Sequence, residues 1–160
     1  MRDFFKRYIP EFVYGAVDGT VTTFAVVAAS AGAGISSSVI LILGIANLIA
    51  DGFSMGSSAY LAASAEHEEP VRDSQKRSSP KIIGAVTFLA FVVVGSVPVL
   101  PYLIDVIANL KAPNAALFYV SSALTAATFL AIGFIKGKVS KQSPWQSAGI
   151  TLLLGIIAAG

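Results

Sequence analysis

Apolar runs of about 20 residues recur along this chain of 160 residues and are separated by short polar stretches. A helix needs about 20 apolar residues to cross the hydrocarbon core of a bilayer. Four runs meet that length and predict membrane-spanning helices: 12–34, 39–65, 82–104 and 112–135. A fifth run, 146–160, is short for a span; we expect its helix to continue beyond Gly160, with a re-entrant or interfacial helix as the alternative. The pattern predicts an all-α integral membrane protein with a single transmembrane domain, residues 1–160.

Composition agrees with a membrane class. Hydrophobic residues make up 55% of the chain and charged residues 12%, and mean hydropathy is +0.76. A soluble domain carries about 25% charged residues. The chain has no cysteine and one histidine, His67, which excludes disulfides, thiolate metal sites and a histidine-rich metal centre. The longest connector, 66–81, is polar and is expected to be a short cytoplasmic linker.

Basic residues predict the orientation of the spans. Ten of the eleven lie before the first span, between the second and third, or between the fourth and fifth: Arg2, Lys6, Arg7, Arg72, Lys76, Arg77, Lys81, Lys136, Lys138 and Lys141. Only Lys111 lies in the other loops. Because lysine and arginine are enriched in cytoplasmic loops, the N-terminus is expected in the cytoplasm. The scattered basic residues give no support for nucleic-acid binding.

Two acidic residues interrupt the first two spans. Asp18 lies in the first and Asp51 in the second, and each is followed by glycine. An ionisable side chain at the centre of a membrane helix costs roughly 3 kcal/mol on insertion scales, so it is retained where it faces a protected interior or a water-filled path. The pair indicates a protein that handles a cation within the bilayer. The alternative is that each acid is structural and bonds to a neighbouring helix.

Helical spacing extends the pair into a polar track, since residues three and four apart share a face. On the first span Asp18 aligns with Gly15 and Thr22. On the second span the stripe contains Asn47, Asp51, Met55 and Ser58, and it continues to Glu66 and Glu69. Hard oxygen ligands alone suit Mg²⁺ or Ca²⁺, whereas a methionine sulfur beside them favours a softer metal such as Fe²⁺. Packing for Met55, interhelical bonding for Asn47 and a solvated helix end for the glutamates are the alternatives.

Glycines with GxxxG spacing lie beside both aspartates. The first motif contains Gly15 and Gly19, and the second contains Gly52 and Gly56. Small residues at this spacing let membrane helices approach closely. The motifs predict tight helix packing, and their position next to the acids favours a site built by that packing. A carboxylate in such a site can also carry a proton that an arriving metal ion displaces, which is the coupling that a metal/proton antiporter needs.

Long blocks of the sequence resemble one known family. YGAVDGTVTTFAVVAASAGA (14–33) and LILGIANLIADGFSMGSSAYL (41–61) are similar to the vacuolar iron transporter family, which includes iron and manganese transporters of yeast and plants. The similarity continues through GSVPVLPY (95–102), IGFIKGKV (132–139) and SAGITLLLGIIAAG (147–160). The resemblance covers nearly the whole chain.

The resemblance implies five spans, a homodimer, and an ion path at the dimer interface between the first two helices of each copy. It implies export of Fe²⁺, with Mn²⁺ as a second substrate, from the cytosol in exchange for protons. Asp18 and Met55 match metal positions of the family within the membrane, Asp51 is the acid of the ADGFSMG block, and Glu66 and Glu69 match the start of its cytoplasmic glutamate set. No resident cofactor is implied.

The chain departs from the family in two places. Iron-transporting members carry a helical metal-binding domain between the second and third spans, where this chain has only residues 66–81. Members also often carry an acid just before the tyrosine of the second helix, where this chain has Ala59. A non-transporting membrane scaffold or metal-sensing protein is the second hypothesis. An enzyme is disfavoured because no nucleophile–base pair is evident. The small size favours a prokaryotic plasma membrane over a vacuolar one.

Overall fold

The described part of the chain is helical apart from its connecting turns. The computed structural model describes residues 2–68, 78–140 and 143–159. Within these ranges the helices are α1 (Arg2–Gly32), α2 (Ser37–Glu68), α3 (Pro80–Gly95), a 3₁₀ turn (Val97–Val99), α4 (Leu100–Ala108), α5 (Asn114–Val139) and α6 (Pro144–Ala159). No strand occurs among the described residues. The all-α prediction is therefore confirmed.

Four helical stretches are long and apolar enough to cross a membrane. They are Arg7–Gly32, Ser37–Glu66, Pro80–Ala108 and Asn114–Val139. The apolar part of α6, Pro144–Ile157, is shorter, and its role as a fifth span stays a prediction. Helix α2 continues to Glu68 and α3 starts at Pro80, so helix occupies both ends of the expected 66–81 linker. Residues 69–77, which include Glu69, lie outside the described residues.

The third span is broken, although its hydropathy predicts one continuous helix over 82–104. The 3₁₀ turn separates α3 from α4. Pro98 and Pro101 cause the break, because proline has no backbone N–H for the helical ladder. The buried Ser121 of α5 donates its hydroxyl to the Pro98 carbonyl at 2.7 Å. Side chains that satisfy freed carbonyls in this way allow helix breaks within the bilayer.

Helix α3 packs against both α1 and α2, and glycine makes this packing close. A Cβ atom at Gly15 would overlap the carbonyl oxygen of Thr87 on α3, and one at Gly19 would lie 2.5 Å from the carbonyl oxygen of Phe91. On α2, a Cβ at Gly56 would lie 2.8 Å from the Cβ of Phe88. Only glycine permits these contacts, so the two GxxxG motifs hold α1 and α2 against the same partner helix.

Helices α5 and α6 pack on the other side of α1 and use glycine in the same way. A Cβ atom at Gly133 would lie 2.6 Å from the Cα of Ala148, and one at Gly137 would lie 2.7 Å from the Cα of Pro144. A buried apolar cluster joins α1, α2, α4 and α5 near one end of the bundle: Val27, Ile40, Val99, Tyr102 and Leu117. A second cluster joins α1, α3 and α5: Ala16, Ala90 and Ile132.

Polar side chains fix the loops at the end opposite the chain's N-terminus. Asp105 is 7% exposed, and its Oδ1 accepts a hydrogen bond from the Ala112 N–H at 2.9 Å. Helix α4 ends at Asn109, whose φ of 49° is left-handed. The Asn114 amide Nδ2 donates to the Ile35 carbonyl at 3.0 Å, which ties the α1–α2 turn to the start of α5.

Candidate functional site

The two aspartates lie near the middle of their helices. Asp18 is eleven residues from the start of the candidate span Arg7–Gly32, and Asp51 is fourteen residues from the start of Ser37–Glu66. With a rise of 1.5 Å per residue these separations correspond to about 16 Å and about 21 Å. The hydrocarbon core of a bilayer is about 30 Å thick, so in a membrane crossed by these two candidate spans both carboxylates would lie far from either surface.

Packing of α1 against α2 brings the aspartates together. Asp18 lies one turn before Thr22 on α1 and Asp51 one turn after Asn47 on α2, which runs in the opposite direction, so the contact between Asn47 and Thr22 places the two aspartates at the same level of the bundle. A polar network lies beside them: Asn47 Nδ2 donates to Thr23 Oγ1 at 3.2 Å and to Thr22 Oγ1 at 3.4 Å. The Thr22 hydroxyl donates to the Asp18 carbonyl at 2.9 Å. The Asn47 side chain of α2 thus fixes the orientation of α1 about its own axis, one helical turn from the Asp18 carboxylate.

Both aspartates face the outside of the single chain. Asp18 is exposed and lies on the same stripe as the exposed Tyr14, Ala25 and Ala29, which are four, seven and eleven residues away. Asp51 is also exposed. The neighbours of Asp18 on the other side of α1, Ala16 and Thr20, are buried in the bundle, as is Gly19. The carboxylates therefore line an outer face of this bundle and lie outside its core.

The other predicted residues of α2 extend along this face. Asn47 and Met55 are half-buried, whereas Ser58 and Glu66 are exposed. The structure therefore places Asn47 and Asp51 beside α1, with Met55, Ser58 and Glu66 following toward the end of the helix. Glu69 lies outside the described residues. The four GxxxG glycines lie against α3 and contribute to the site through the positions they give α1 and α2.

Glu11 is a candidate residue that the sequence pattern did not single out. It lies seven residues before Asp18, on the same stripe of α1. Its Oε2 atom is buried and has no hydrogen-bond partner among the described residues. The seven-residue spacing was the available signal, but an acid near the start of a span is ordinary. With Glu11, the acidic track extends along α1 toward the end of the bundle that carries Arg7, Lys81 and Lys136, which we call the basic end.

A single chain offers few ligands for a metal ion. Among the described residues no group of three or more histidine, cysteine, aspartate or glutamate side chains is close enough to hold one. The site contains two carboxylates, hydroxyls, an amide and the nearby thioether of Met55. Carboxylates bind divalent cations, but such cations take six or more ligands in most oxygen sites. The missing ligands would have to come from water, backbone or a second chain.

Comparison with known proteins points to one family. A sequence profile of the VIT family matches residues 9–78 and 66–160. A vacuolar iron transporter of Toxoplasma gondii is 42% identical over 69 residues, which cover 43% of this chain and 23% of that protein. Vacuolar iron transporter 1 of Arabidopsis thaliana is 37% identical over 75 residues, 47% of this chain and 30% of the relative.

A longer match shows where this chain and its relatives differ. Vacuolar iron transporter 1 of Eucalyptus grandis is 26% identical over 211 positions, which cover 94% of this chain and 82% of the relative. Because 211 positions exceed the 160 residues of this chain, the relative has residues that this chain lacks. The two blocks of the family match meet at 66–78, between α2 and α3. The matches to the Toxoplasma and Arabidopsis proteins span less than a third of those relatives.

Proposed function

Because this chain belongs to the VIT family, we propose that it carries a divalent metal ion out of the cytosol in exchange for protons. Several relatives bear the name vacuolar iron transporter, which makes Fe²⁺ the first candidate substrate. Mn²⁺ is the second, because carboxylate and carbonyl ligands also suit that ion. We place the N-terminus in the cytoplasm and the protein in a prokaryotic plasma membrane.

The exposure of Asp18 and Asp51 supports the proposal most directly. Each carboxylate is exposed on the single chain yet lies near the middle of an apolar helix. Facing lipid, each would cost roughly 3 kcal/mol on insertion scales. A second copy of the chain that covers this face would remove both acids from lipid. It would also bring four carboxylates to one path, which relieves the shortage of ligands in one chain.

The distribution of side-chain sizes on α2 favours such a homodimer. Most of its large exposed side chains, including Ile42, Ile49, Phe53 and Tyr60, lie on one side of the helix, and Leu43 and Leu61 lie at the edge of the other side. Five of its small exposed side chains lie on the side nearer Asp51: Ala50, Ser54, Ser58, Ala62 and Ala65. Small residues are typical of helix–helix contacts in membranes, whereas large aliphatic residues suit lipid. We therefore place the dimer contact on the small side and the ion path along α1 and α2 of both copies.

Cysteine cross-linking tests the dimer, because the chain has no cysteine of its own. Ser54→Cys, on the small side of α2, should form a cross-linked dimer in native membranes when treated with a short bismaleimide. Leu153→Cys, a position on α6 that is also exposed, is the matched control and should stay monomeric. Equal cross-linking at both positions, or none at Ser54→Cys despite full labelling, would contradict this arrangement.

The carboxylates also account for proton coupling. A carboxylate held away from water is neutralised by a proton when no cation is present. An Fe²⁺ ion that binds in the proposed path would then take the place of such protons. Glu11 and Glu66 lie on the same two helices toward the basic end, where they would attract a cation before it enters. Transport in one direction would then move protons in the other.

Flux into proteoliposomes tests this function. We expect uptake of Fe²⁺, measured under anaerobic conditions, and of Mn²⁺ to rise when a pH gradient is imposed across the vesicle membrane. Dissipating the gradient with a proton ionophore should remove the increase. Metal binding without flux, by protein shown to be folded and dimeric, would favour the second candidate, a membrane scaffold or metal-sensing protein.

A further inference from the structure

A groove between α2 and α3 lies apart from the acidic face. It has a volume of about 600 Å³ and is lined by Phe53, Gly56, Ser57, Tyr60, Leu61, Lys81, Gly84, Ala85 and Phe88. It runs along α2 from Phe53 to Leu61, a separation of eight residues or about 12 Å. Half of the hydrocarbon core is about 15 Å thick, so the groove is nearly as long as one leaflet of the core.

Two glycines form the floor of the groove. A Cβ atom at Gly84 would lie 2.8 Å from the Gly56 carbonyl oxygen, so the backbones of α2 and α3 are in contact there. The larger side chains on each side of this contact form the walls. Phe53 is 69% exposed and Leu61 is 63% exposed, which leaves the trough open and apolar. A flexible hydrocarbon chain would fill a trough of this shape.

One end of the groove is basic. Lys81 is the only charged side chain among the lining residues, and it is exposed. It occupies the first turn of α3, where the helix dipole adds positive potential. The hydroxyls of Ser57 and Tyr60 also line the groove. Tyr8, beside Arg7, accepts a hydrogen bond from the Ser79 N–H at 3.3 Å, which places the start of α1 at this same end.

We propose that this groove binds an anionic phospholipid, with one acyl chain in the trough and the phosphate on Lys81. Apolar walls and a single cation at one end match the two parts of such a lipid. Basic pockets between membrane helices on the cytoplasmic side bind anionic head groups. Phe53 and Tyr60 lie away from the small side of α2 that we assign to the dimer, whereas Leu61, seven residues after Ser54, lies at the boundary between the groove and that side. The site does not depend on the transport activity.

Native mass spectrometry of the full chain in detergent tests the site. The probes are phosphatidylglycerol and phosphatidylcholine with identical acyl chains. We expect tighter binding of phosphatidylglycerol, and about fivefold weaker binding in Lys81→Ala, the factor that corresponds to the ~1 kcal/mol a lysine contributes beside an anionic membrane surface. Lys138→Ala removes the same charge from an exposed position that does not line the groove, and it should leave the affinity unchanged.

A second variant tests the trough. Ala85 is exposed within the groove, so Ala85→Phe fills it without entering a helix contact and should weaken phosphatidylglycerol binding while Lys81 is intact. Equal affinity for both lipids, equal losses in Lys81→Ala and Lys138→Ala, or full binding by Ala85→Phe would each overturn the proposal. Protein stability, followed by thermal unfolding in the same detergent, should be similar for all variants.

Discussion

Replacing Gly19 with alanine tests the contact that holds α1 against α3 beside Asp18. The new Cβ would lie 2.5 Å from the Phe91 carbonyl oxygen and 3.0 Å from its Cα. The first distance is about 1 Å short of the ~3.5 Å at which non-bonded atoms attract. From the other side, a Cβ at Gly95 would lie 2.8 Å from the Gly19 carbonyl oxygen. All these atoms belong to backbone, so no rotamer change relieves the overlap and the helices must separate.

The expected magnitude combines two opposing effects. Overpacking of a close contact costs about 1–3 kcal/mol, and backbone on both sides places this contact near 3. Alanine is favoured over glycine within a helix by about 1 kcal/mol. Gly19→Ala should therefore lower the free energy of unfolding by about 2 kcal/mol. Gly149→Ala in α6, where a Cβ meets nothing within 4 Å, should raise it by about 1 kcal/mol.

The comparison of these two variants isolates the helix contact, because both gain the same helical preference. Unfolding in mixed micelles, followed while the fraction of SDS is raised, would measure both. A difference of about 3 kcal/mol between Gly19→Ala and Gly149→Ala is expected. If Gly19→Ala is as stable as Gly149→Ala, the result would contradict the close backbone contact between α1 and α3 at Gly19.

The same titration checks three further variants. The Tyr102 hydroxyl is buried and has no hydrogen-bond partner among the described residues, so Tyr102→Phe should leave stability unchanged or raise it by up to about 1 kcal/mol; a clear loss would reveal a partner. Asp105→Ala removes the acceptor for the Ala112 N–H and should cost about 1–2 kcal/mol, whereas Asp105→Asn should recover most of that loss. Asn47→Leu removes two bonds between α1 and α2, including that to Thr23, and should cost about 1 kcal/mol; no loss would indicate that the network does not hold the helices.

The helices were predictable because each apolar run carries enough length to cross a bilayer. The break at Pro98 was not, since valine, leucine and proline keep the stretch apolar while the backbone hydrogen bonds are interrupted. Hydropathy does not report those bonds. The two prolines, Pro98 and Pro101, were the visible signal, and the Ser121 hydroxyl that completes the turn comes from another helix.

The site was predictable in part, because the helical period shows which side chains of one helix share a face. Helical period alone places Asp18 with Thr22 and Asn47 with Asp51, and the structure joins these stripes through the bonds between α1 and α2. Period does not reveal which helix covers a given face. The GxxxG glycines lie against α3, a partner that their spacing could not identify. Glu11 was missed because helical period does not show which side-chain atoms the fold buries.

Metal/proton exchange is tested most directly by measuring proton movement that a metal gradient drives, with and without the Asp18 carboxylate. Wild-type protein and Asp18→Asn would be compared in proteoliposomes loaded with a pH-sensitive dye, with Mn²⁺ as the air-stable probe. Asp105→Asn, which alters the buried acid of α4 while keeping an acceptor oxygen, is the matched control. We expect metal-driven proton flux in the wild type and the control, and at least a tenfold loss in Asp18→Asn, a factor that corresponds to about 1.4 kcal/mol. Undiminished flux through folded Asp18→Asn would contradict it.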